Sequence, residues 1–199
     1  FGVGVDAKKF SSKPIPHTIP LVILPARMLW DKGVGDFVRC AQRCINYKID
    51  VRFALIGDPD PHNPESISEV QLKEWVDQSV IEWWKKKNNM LEVYSLADIV
   101  CFPSYHEGLP KTLLEAASCE LPIVTYDVSG CREVVKDKVN GFLVPFKDED
   151  ALFIAVMDLL RDSSLRHKMG VMGRKMIMEK FTQEKVTSET MRVCDNLLK

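Results

Sequence analysis

The sequence has no excess of either charge: 27 Lys and Arg stand against 28 Asp and Glu, which gives a formal net charge of -1. A general nucleic-acid-binding protein normally has a basic excess, so we expect no nucleic-acid partner. A few local cations for a phosphate group remain compatible with this balance. No apolar run approaches the roughly 20 residues that span a bilayer, and no signal peptide opens the chain. We therefore expect a cytoplasmic protein, and the first residue, Phe1, indicates a fragment or a processed chain.

The cysteines also lack the spacing of a metal site, because no C-x-x-C pair is present. A chain of 199 residues has enough apolar material for a core without disulfides. We expect reduced thiols and no bound metal. The six cysteines are Cys40, Cys44, Cys101, Cys119, Cys131 and Cys194.

Internal repeats are absent too; what is present is an alternation of short apolar runs with segments of helical periodicity. The runs are continuous rather than alternating in polarity, as strands buried on both faces require. This order predicts an α/β fold, a Rossmann-like doubly wound parallel sheet of about six strands with helices on both faces. The predicted strands are 21–25, 51–56, 80–83, 99–102, 122–125 and 142–144.

Helical spacing follows each predicted strand, and Pro64, near the start of one such segment, is typical of a first helical turn. Residues 1–19 carry Gly, Ser and Pro without periodicity and are predicted to be an inter-domain linker remnant. Residues 20–199 are predicted to form the ligand-binding domain. The predicted helices are 34–47, 63–79, 90–96, 109–119, 130–136, 148–161, 164–181 and 182–198.

Ligands of open parallel sheets bind beyond the carboxyl ends of the strands, so the strand-to-helix loops are the places to search. The loop at 103–110, PSYHEGLP, leads directly into the helix KTLLEAASC. A helix start exposes unpaired N–H groups and the positive end of the helix dipole, which attract phosphate. Gly108 allows a ligand to approach the backbone closely. We predict an anion site here.

Two carboxylates bracket this helix start: Glu107 precedes it and Glu115 lies eight positions later, inside it. Carboxylate oxygens accept hydrogen bonds from neighbouring sugar hydroxyls. Arg27 and Lys32 follow the first predicted strand at the same sheet edge. Fixed cations and a helix start can stabilise negative charge on a departing diphosphate without a metal. The combination predicts a nucleotide-sugar site without a cofactor.

The same residues resemble a known family. Glu107 and Glu115 fit its E-x7-E pattern, and the text around them fits as well: FPSYHEGLPKTLLEAASCELPIVTYDVSGCREVV, followed by NGFLVP. PARMLWDKGV resembles the family's segment in which an Arg and a Lys-Gly pair are five positions apart. GVDAKKF resembles the segment that joins the family's two domains. The chain is similar along nearly its whole length to the retaining glycosyltransferases of the GT-B fold, family GT4, also called glycosyl transferases group 1.

That resemblance implies the C-terminal donor-binding domain of a hexosyltransferase, one half of a GT-B fold. Glu107 would face the hydroxyls of the donor sugar, and Glu115 would hold the ribose. Arg27 and Lys32 would grip the diphosphate as the leaving group. Backbone N–H groups would complete the anion seat near three residues: Gly108, Leu109 and Thr112.

The resemblance also implies the partners. The expected donor is a UDP-sugar, and the expected acceptor is a lipid-linked saccharide in polysaccharide or glycoconjugate biosynthesis, at the inner face of the membrane. Acceptor groups normally come from an N-terminal domain, so residues 1–199 alone should bind donor weakly and transfer nothing. The family often has a glycine after the third strand, where this sequence has Trp84-Lys85-Lys86-Lys87. We therefore assign no nucleobase contact and interpret the lysines as a solvated turn.

Two other functions fit the residues. The first is another class of enzyme with a similar architecture, such as a sugar-nucleotide epimerase or a phosphorylase. The second is a non-catalytic nucleotide-binding module that uses the fold for interaction. Glu115 taken alone would be an ordinary helix glutamate, but its neighbours are apolar, and an unpaired charge there is costly. His106 is not assigned as a catalytic base, because the neighbouring position in the family's motif is variable.

Overall fold

The protein is described from a computed structural model, which covers residues 4–11, 15 and 18–197. Its centre is one six-stranded sheet in the order β3-β2-β1-β4-β5-β6, in which every neighbouring pair is parallel. This is the strand order of a doubly wound nucleotide-binding sheet. The predicted α/β, Rossmann-like fold is confirmed. The strands are β1 (Leu21–Pro25), β2 (Arg52–Ile56), β3 (Glu82–Trp83), β4 (Ile99–Phe102), β5 (Ile123–Tyr126) and β6 (Gly141–Val144).

With right-handed crossovers, this strand order puts the first two helices on one face of the sheet and the fourth and fifth on the other. The sixth helix packs against the first and the seventh against the fourth, so both faces are closed. The helices are α1 (Val34–Asn46), α2 (Glu69–Asp77), α3 (Met90–Leu96), α4 (Lys111–Ser118), α5 (Ser129–Val134), α6 (Glu149–Arg161), α7 (Ser163–Lys180) and α8 (Gln183–Leu197).

Most predicted elements lie within two residues of the observed ones, but the start of the second helix was predicted wrongly. The segment after Asn63 forms a separate turn, in which the Ser66 N–H donates to the Asn63 carbonyl at 3.0 Å. Ser66 then bridges to Leu29, and the Ile67 N–H donates to the Met28 carbonyl at 2.9 Å. The helix begins only at Glu69, where the Ser68 hydroxyl accepts from the Gln71 N–H. Backbone pairing with another segment thus outweighs the Pro64 start signal.

A short 3-10 helix, Trp30–Lys32, was not predicted and sets the course of the loop after β1. It ends at Gly33, whose φ of 71° lies in the left-handed region. A Cβ at Gly33 would lie 1.9 Å from the Pro103 carbonyl oxygen. Only glycine therefore lets the loop after β1 touch the loop after β4 at this point.

The core is centred on β1, β4 and β5, in which every residue is buried. This confirms that the continuous apolar runs are strands covered on both faces. No disulfide joins any of the six cysteines, all of which lie in described segments; five are buried and Cys194 is exposed. Across the described ranges, no helix combines the length and the hydropathy that a membrane span requires.

The described part of the predicted linker packs against the domain. Val5 forms a parallel bridge with Thr182, and Phe10, only 6% exposed, lies edge-on to Tyr94 at 6.0 Å between ring centroids. The Arg174 guanidinium donates to the Phe10 carbonyl at 3.0 Å. Residues 1–3, 12–14 and 16–17 of the predicted linker lie outside the described residues, and the domain division at residue 20 stays a prediction.

Candidate functional site

A cleft of about 470 Å³ opens beyond the carboxyl ends of β1 and β2. Its position agrees with the sheet edge where open parallel folds bind ligands. Two larger grooves, of about 630 and 600 Å³, lie against α8. We take the cleft as the candidate site because it holds Arg27, Thr112 and Glu115 together. It is lined by residues 25–27, 56–61 and 86–87 and by Met90, Tyr94, Thr112 and Glu115.

Glu115 is a nearly buried carboxylate in the wall of this cleft, with 9% of the residue exposed. Its Oε2 accepts a hydrogen bond from the Tyr94 hydroxyl at 3.1 Å, and Lys111 Nζ lies 3.7 Å from Oε1. Burial raises the pKa of Glu115, although Tyr94 and Lys111 act to lower it. Burial of a charged carboxylate costs free energy, so a carboxylate that is buried beside a cleft is a candidate for binding a ligand.

Tyr94 holds that carboxylate in place. It comes from α3 and is fully buried. Burial, and then the charge of Glu115, raise the pKa of Tyr94 well above its usual value. Its hydroxyl therefore stays protonated and acts as a donor to Glu115. The other oxygen, Oε1, faces the more distant ammonium of Lys111, whose side chain is 63% exposed.

Arg27 lies at the mouth of the cleft and pairs with Asp60 across 2.7 Å. The side chains of this pair are 59% and 30% exposed, so both ions remain in contact with solvent. The two loops meet where Gly57 abuts Ala26: a Cβ at Gly57 would lie 1.9 Å from the Ala26 carbonyl oxygen. Asp60 was not predicted as a site residue, and the GDPDP turn after β2 was its only signal in the sequence.

Lys32 and Glu107 form a second, more buried pair. Lys32 Nζ lies 2.7 Å from Glu107 Oε1, and the two side chains are 17% and 14% exposed. The Ser104 hydroxyl donates to the same oxygen at 2.7 Å, and the His106 carbonyl accepts from Lys32 Nζ at 3.3 Å. The structure thus brings the two predicted residues together, and Ser104 is a partner that the sequence did not reveal.

The start of α4 lies between these two groups. Pro110 is its N-cap, and no side chain caps the first N–H groups. A Cβ at Gly108 would meet nothing within 4 Å, so the backbone is open to a ligand there. The Thr112 hydroxyl donates to the Pro25 carbonyl at 3.4 Å, which joins α4 to the end of β1. Leu109, by contrast, lines the groove beside α8.

Five of the predicted residues therefore form two groups at one sheet edge. Arg27, Thr112 and Glu115 line the cleft, while Lys32 and Glu107 form a pair outside its lining. Within the part of the chain that the structure describes, no hydrogen bond or ion pair joins the two groups. Both flank the first turn of α4, which is the position that one elongated ligand would bridge.

A buried polar cluster behind the second group was not predicted. Asp36 of α1 is 2% exposed and accepts from the Tyr126 hydroxyl at 2.8 Å and the Tyr105 hydroxyl at 3.2 Å. Arg39 pairs with it from the next turn. Burial raises the pKa of Tyr105 to about 12, helped by Asp36. No short motif signals this cluster, because the tyrosines lie 69 and 90 positions from Asp36.

Comparison with known proteins gives one consistent result. The family model described as "Glycosyl transferases group 1" matches residues 5–176. The chain is 32% identical, over 74% of its length, to N,N'-diacetylbacillosaminyl-diphospho-undecaprenol alpha-1,3-N-acetylgalactosaminyltransferase of Campylobacter jejuni, covering 37% of that protein. It is 25% identical, over 87% of its length, to the capsular polysaccharide biosynthesis glycosyltransferase CapM of Staphylococcus aureus, covering 45% of it.

Solved structures share the fold. Sucrose-phosphate synthase from Thermosynechococcus elongatus superposes with a TM-score of 0.85 at 23% identity, over 98% of this chain and 51% of that one. HepE from Anabaena, solved in complex with UDP, gives a TM-score of 0.85 at 17% identity, over 97% of this chain and 56% of HepE. In five curated relatives that it matches, the chain spans only 37% to 51% of the relative's length.

Proposed function

The chain belongs to the glycosyl transferases group 1 family, and from this we propose that it is the donor-binding domain of an enzyme that transfers a hexose from a nucleotide diphosphosugar. The proposed donor is a UDP-sugar. Support comes from the cleft at the carboxyl ends of β1 and β2 and from the open start of α4 beside it. HepE, which has the same fold, was solved with UDP.

One observation carries this proposal: the nearly buried Glu115 carboxylate lines a cleft of about 470 Å³. A ribose offers two adjacent hydroxyls, and one carboxylate can accept from both. Tyr94 occupies one side of Oε2 and leaves acceptor capacity for a ligand. The free energy that burial of this charge costs would be recovered when the hydroxyls bind.

The diphosphate is proposed to lie between Arg27 and the first turn of α4. The uncapped N–H groups there and the guanidinium would both act on the leaving group. Lys86 and Lys87 line the same cleft and add positive charge near it. We propose that these groups stabilise the departing diphosphate without a metal. Transfer in a metal-chelating buffer by the complete enzyme tests that point.

The sugar is proposed to reach Glu107, whose carboxylate is held by Lys32 and Ser104. Lys32 would neutralise Glu107 in the absence of donor and then share its charge with the phosphate. Transfer with retention of the anomeric configuration is part of the proposal and rests on the family resemblance. Product stereochemistry from the complete enzyme, read by proton NMR, decides it.

The acceptor site is proposed to belong to a domain outside this chain, since the chain spans about half or less of its curated relatives. The Campylobacter relative is named for a diphospho-undecaprenol acceptor. We propose a lipid-linked saccharide acceptor, and a location at the cytoplasmic face of the membrane for the complete enzyme. Residues 1–199 alone should transfer no sugar.

A thermal-shift panel tests the proposed function. A ligand that binds only the native state must raise Tm. UDP and at least one of UDP-glucose, UDP-N-acetylglucosamine and UDP-N-acetylgalactosamine should raise it, and uridine should do so less. If no nucleotide changes Tm, the proposal is wrong and a module without a nucleotide site is favoured. Interconversion of a UDP-sugar without acceptor would instead favour an epimerase.

A further inference from the structure

The buried Asp36 cluster connects α1 to the loop that carries Glu107. Asp36 accepts from two tyrosines that belong to different elements: Tyr105 follows β4 in the loop, whereas Tyr126 ends β5 inside the sheet. Arg39 pairs with Asp36 and also with Glu149. These are the charged and titratable groups that face the Asp36 carboxylate in the hydrogen bonds and ion pairs of the described residues.

Tyr105 is the anchor of an otherwise irregular loop. Between Phe102 and Lys111 no residue belongs to a helix or a strand. The Tyr105 N–H donates to the Asp31 carbonyl at 2.8 Å, and its hydroxyl donates to Asp36. The Lys147 ammonium lies 4.4 Å above its ring centroid. The ring is thus fixed at the backbone, at the hydroxyl and across its face.

Tyr105 influences Glu107 through the two residues that flank Tyr105 in the chain. The residue before Tyr105 is Ser104, which donates to Glu107 Oε1 at 2.7 Å, and the residue after it is His106, whose carbonyl accepts from Lys32. A displacement of Tyr105 must therefore move both the Glu107 backbone and the hydroxyl that orients its carboxylate. Small displacements of a group that contacts substrate are costly for binding and catalysis.

We infer that Asp36 is a positioning residue for the donor sugar: through the Tyr105 hydroxyl it fixes the loop that presents the Glu107 carboxylate. The inference rests on the proposed function and assigns a role to a buried carboxylate whose hydrogen-bond partners, Arg39, Tyr105 and Tyr126, are not among the residues that line the cleft. Asp36 and Tyr105 act through Glu107 and do not touch the donor. Their contribution should therefore be larger for a UDP-sugar than for UDP.

Two single-hydroxyl deletions separate positioning from general stability. Tyr105→Phe removes the Asp36 hydrogen bond on the loop and keeps the aromatic ring. Tyr126→Phe removes the other hydrogen bond to Asp36, in a strand that carries no proposed site residue. Both variants and the wild type are titrated with UDP and with UDP-glucose, UDP-N-acetylglucosamine and UDP-N-acetylgalactosamine. The readout is the ratio of the Kd for UDP to the Kd for the UDP-sugar that wild type binds most tightly.

We expect Tyr105→Phe to reduce this ratio by roughly threefold to tenfold, the effect of about one hydrogen bond, because the Kd for the UDP-sugar rises more than the Kd for UDP. Tyr126→Phe should leave both values unchanged. Hydrogen–deuterium exchange without ligand should rise at residues 103–110 in Tyr105→Phe and stay at the wild-type level there in Tyr126→Phe.

Several results would overturn the inference. The two variants could change the ratio equally, or Tyr105→Phe could leave the ratio and the exchange of the loop unchanged. A wild-type ratio of one for every UDP-sugar would show that the sugar makes no net contact, and would also overturn it while the UDP site stands. Absence of any UDP binding would instead refute the proposed function itself, and this inference with it.

Discussion

The Tyr94 hydroxyl donates a hydrogen bond across 3.1 Å to Oε2 of Glu115, inside the wall of the cleft. Tyr94 itself is supported by Phe10, which packs edge-on against its ring. The carboxylate is therefore held through one oxygen, which leaves acceptor capacity for a ligand on the other. This relationship joins a segment at the start of the chain to the proposed nucleotide site.

Tyr94→Phe should weaken UDP binding by about threefold to tenfold, because one hydrogen bond to a charged group is lost and Glu115 becomes less well oriented. Calorimetric titration with UDP measures the effect. The control is Tyr47→Phe, which removes a hydroxyl from a residue that is 65% exposed. Equal affinities for both variants would show that Tyr94 does not support the site.

The raised pKa of Glu115 makes a prediction about stability and pH. In the folded protein Glu115 keeps its proton to a higher pH than in the unfolded chain, where a glutamate titrates near about 4.3. The unfolded state thus binds fewer protons in this window, and the free energy of unfolding falls as pH rises through it. Glu115→Gln removes that titration, so its stability relative to wild type should increase from pH 4 to neutral pH.

Urea unfolding of wild type and Glu115→Gln at several pH values checks this sign. Asp158→Asn, at an exposed position on α6, is the baseline for removing a carboxylate. Its change in the free energy of unfolding at each pH is subtracted from that of Glu115→Gln. A Gln variant whose relative stability falls with rising pH would mean that the charged form of Glu115 is stabilised by folding, contrary to its burial.

Substitutions of Arg27 and of Asp60 should change the affinity for UDP in opposite directions. Arg27→Ala removes a cation from the proposed diphosphate site and should weaken binding by about tenfold. Asp60→Asn removes a negative charge that lies 2.7 Å from Arg27 and competes with phosphate for it, so binding should tighten by about twofold to fivefold. Arg161→Ala, at the exposed end of α6, is the matched control. Weaker binding by Asp60→Asn would instead mean that Asp60 holds Arg27 ready for the ligand.

Lys32→Met should destabilise the protein, because Glu107 would keep a carboxylate that is only 14% exposed and has lost its cation. The expected loss in the free energy of unfolding is about 1–3 kcal/mol, measured by urea denaturation. Lys32→Met combined with Glu107→Gln should recover part of it, since no unpaired charge remains. If the double variant is no more stable than Lys32→Met alone, the ion pair does not account for the loss. Lys168→Met, on the exposed surface of α7, is the control.

The sheet could be predicted from the sequence because its signals are local. Each strand is an apolar run between turn residues, and the observed bounds of β1 and β4 equal the predicted ones. The second helix could not be placed correctly, because residues 63–66 form a separate turn and Ser66 then pairs with Leu29 instead of continuing into the helix. Such pairing depends on the folded arrangement and outweighs a local helix signal.

The candidate site was predicted only in part for the same reason. The motif around Glu107 and Glu115 is contiguous and therefore visible, as are Arg27 and Lys32 after a strand. Tyr94 contacts Glu115 from another helix, 21 positions away, and its sequence neighbourhood gives no sign of that role. The sequence predicted one nucleotide-sugar site, but it could not show which side chains pair. In the structure Lys32 pairs with Glu107 and is not part of the cleft lining.

The central claim is that the Glu115 carboxylate binds the ribose of a UDP donor in the cleft. Isothermal titration calorimetry with UDP on wild type, Glu115→Gln and Asp158→Asn tests it most directly. The account predicts a Kd about tenfold or more weaker for Glu115→Gln, an unchanged Kd for Asp158→Asn and no change in either fold. An identical UDP affinity in wild type and Glu115→Gln would contradict the account.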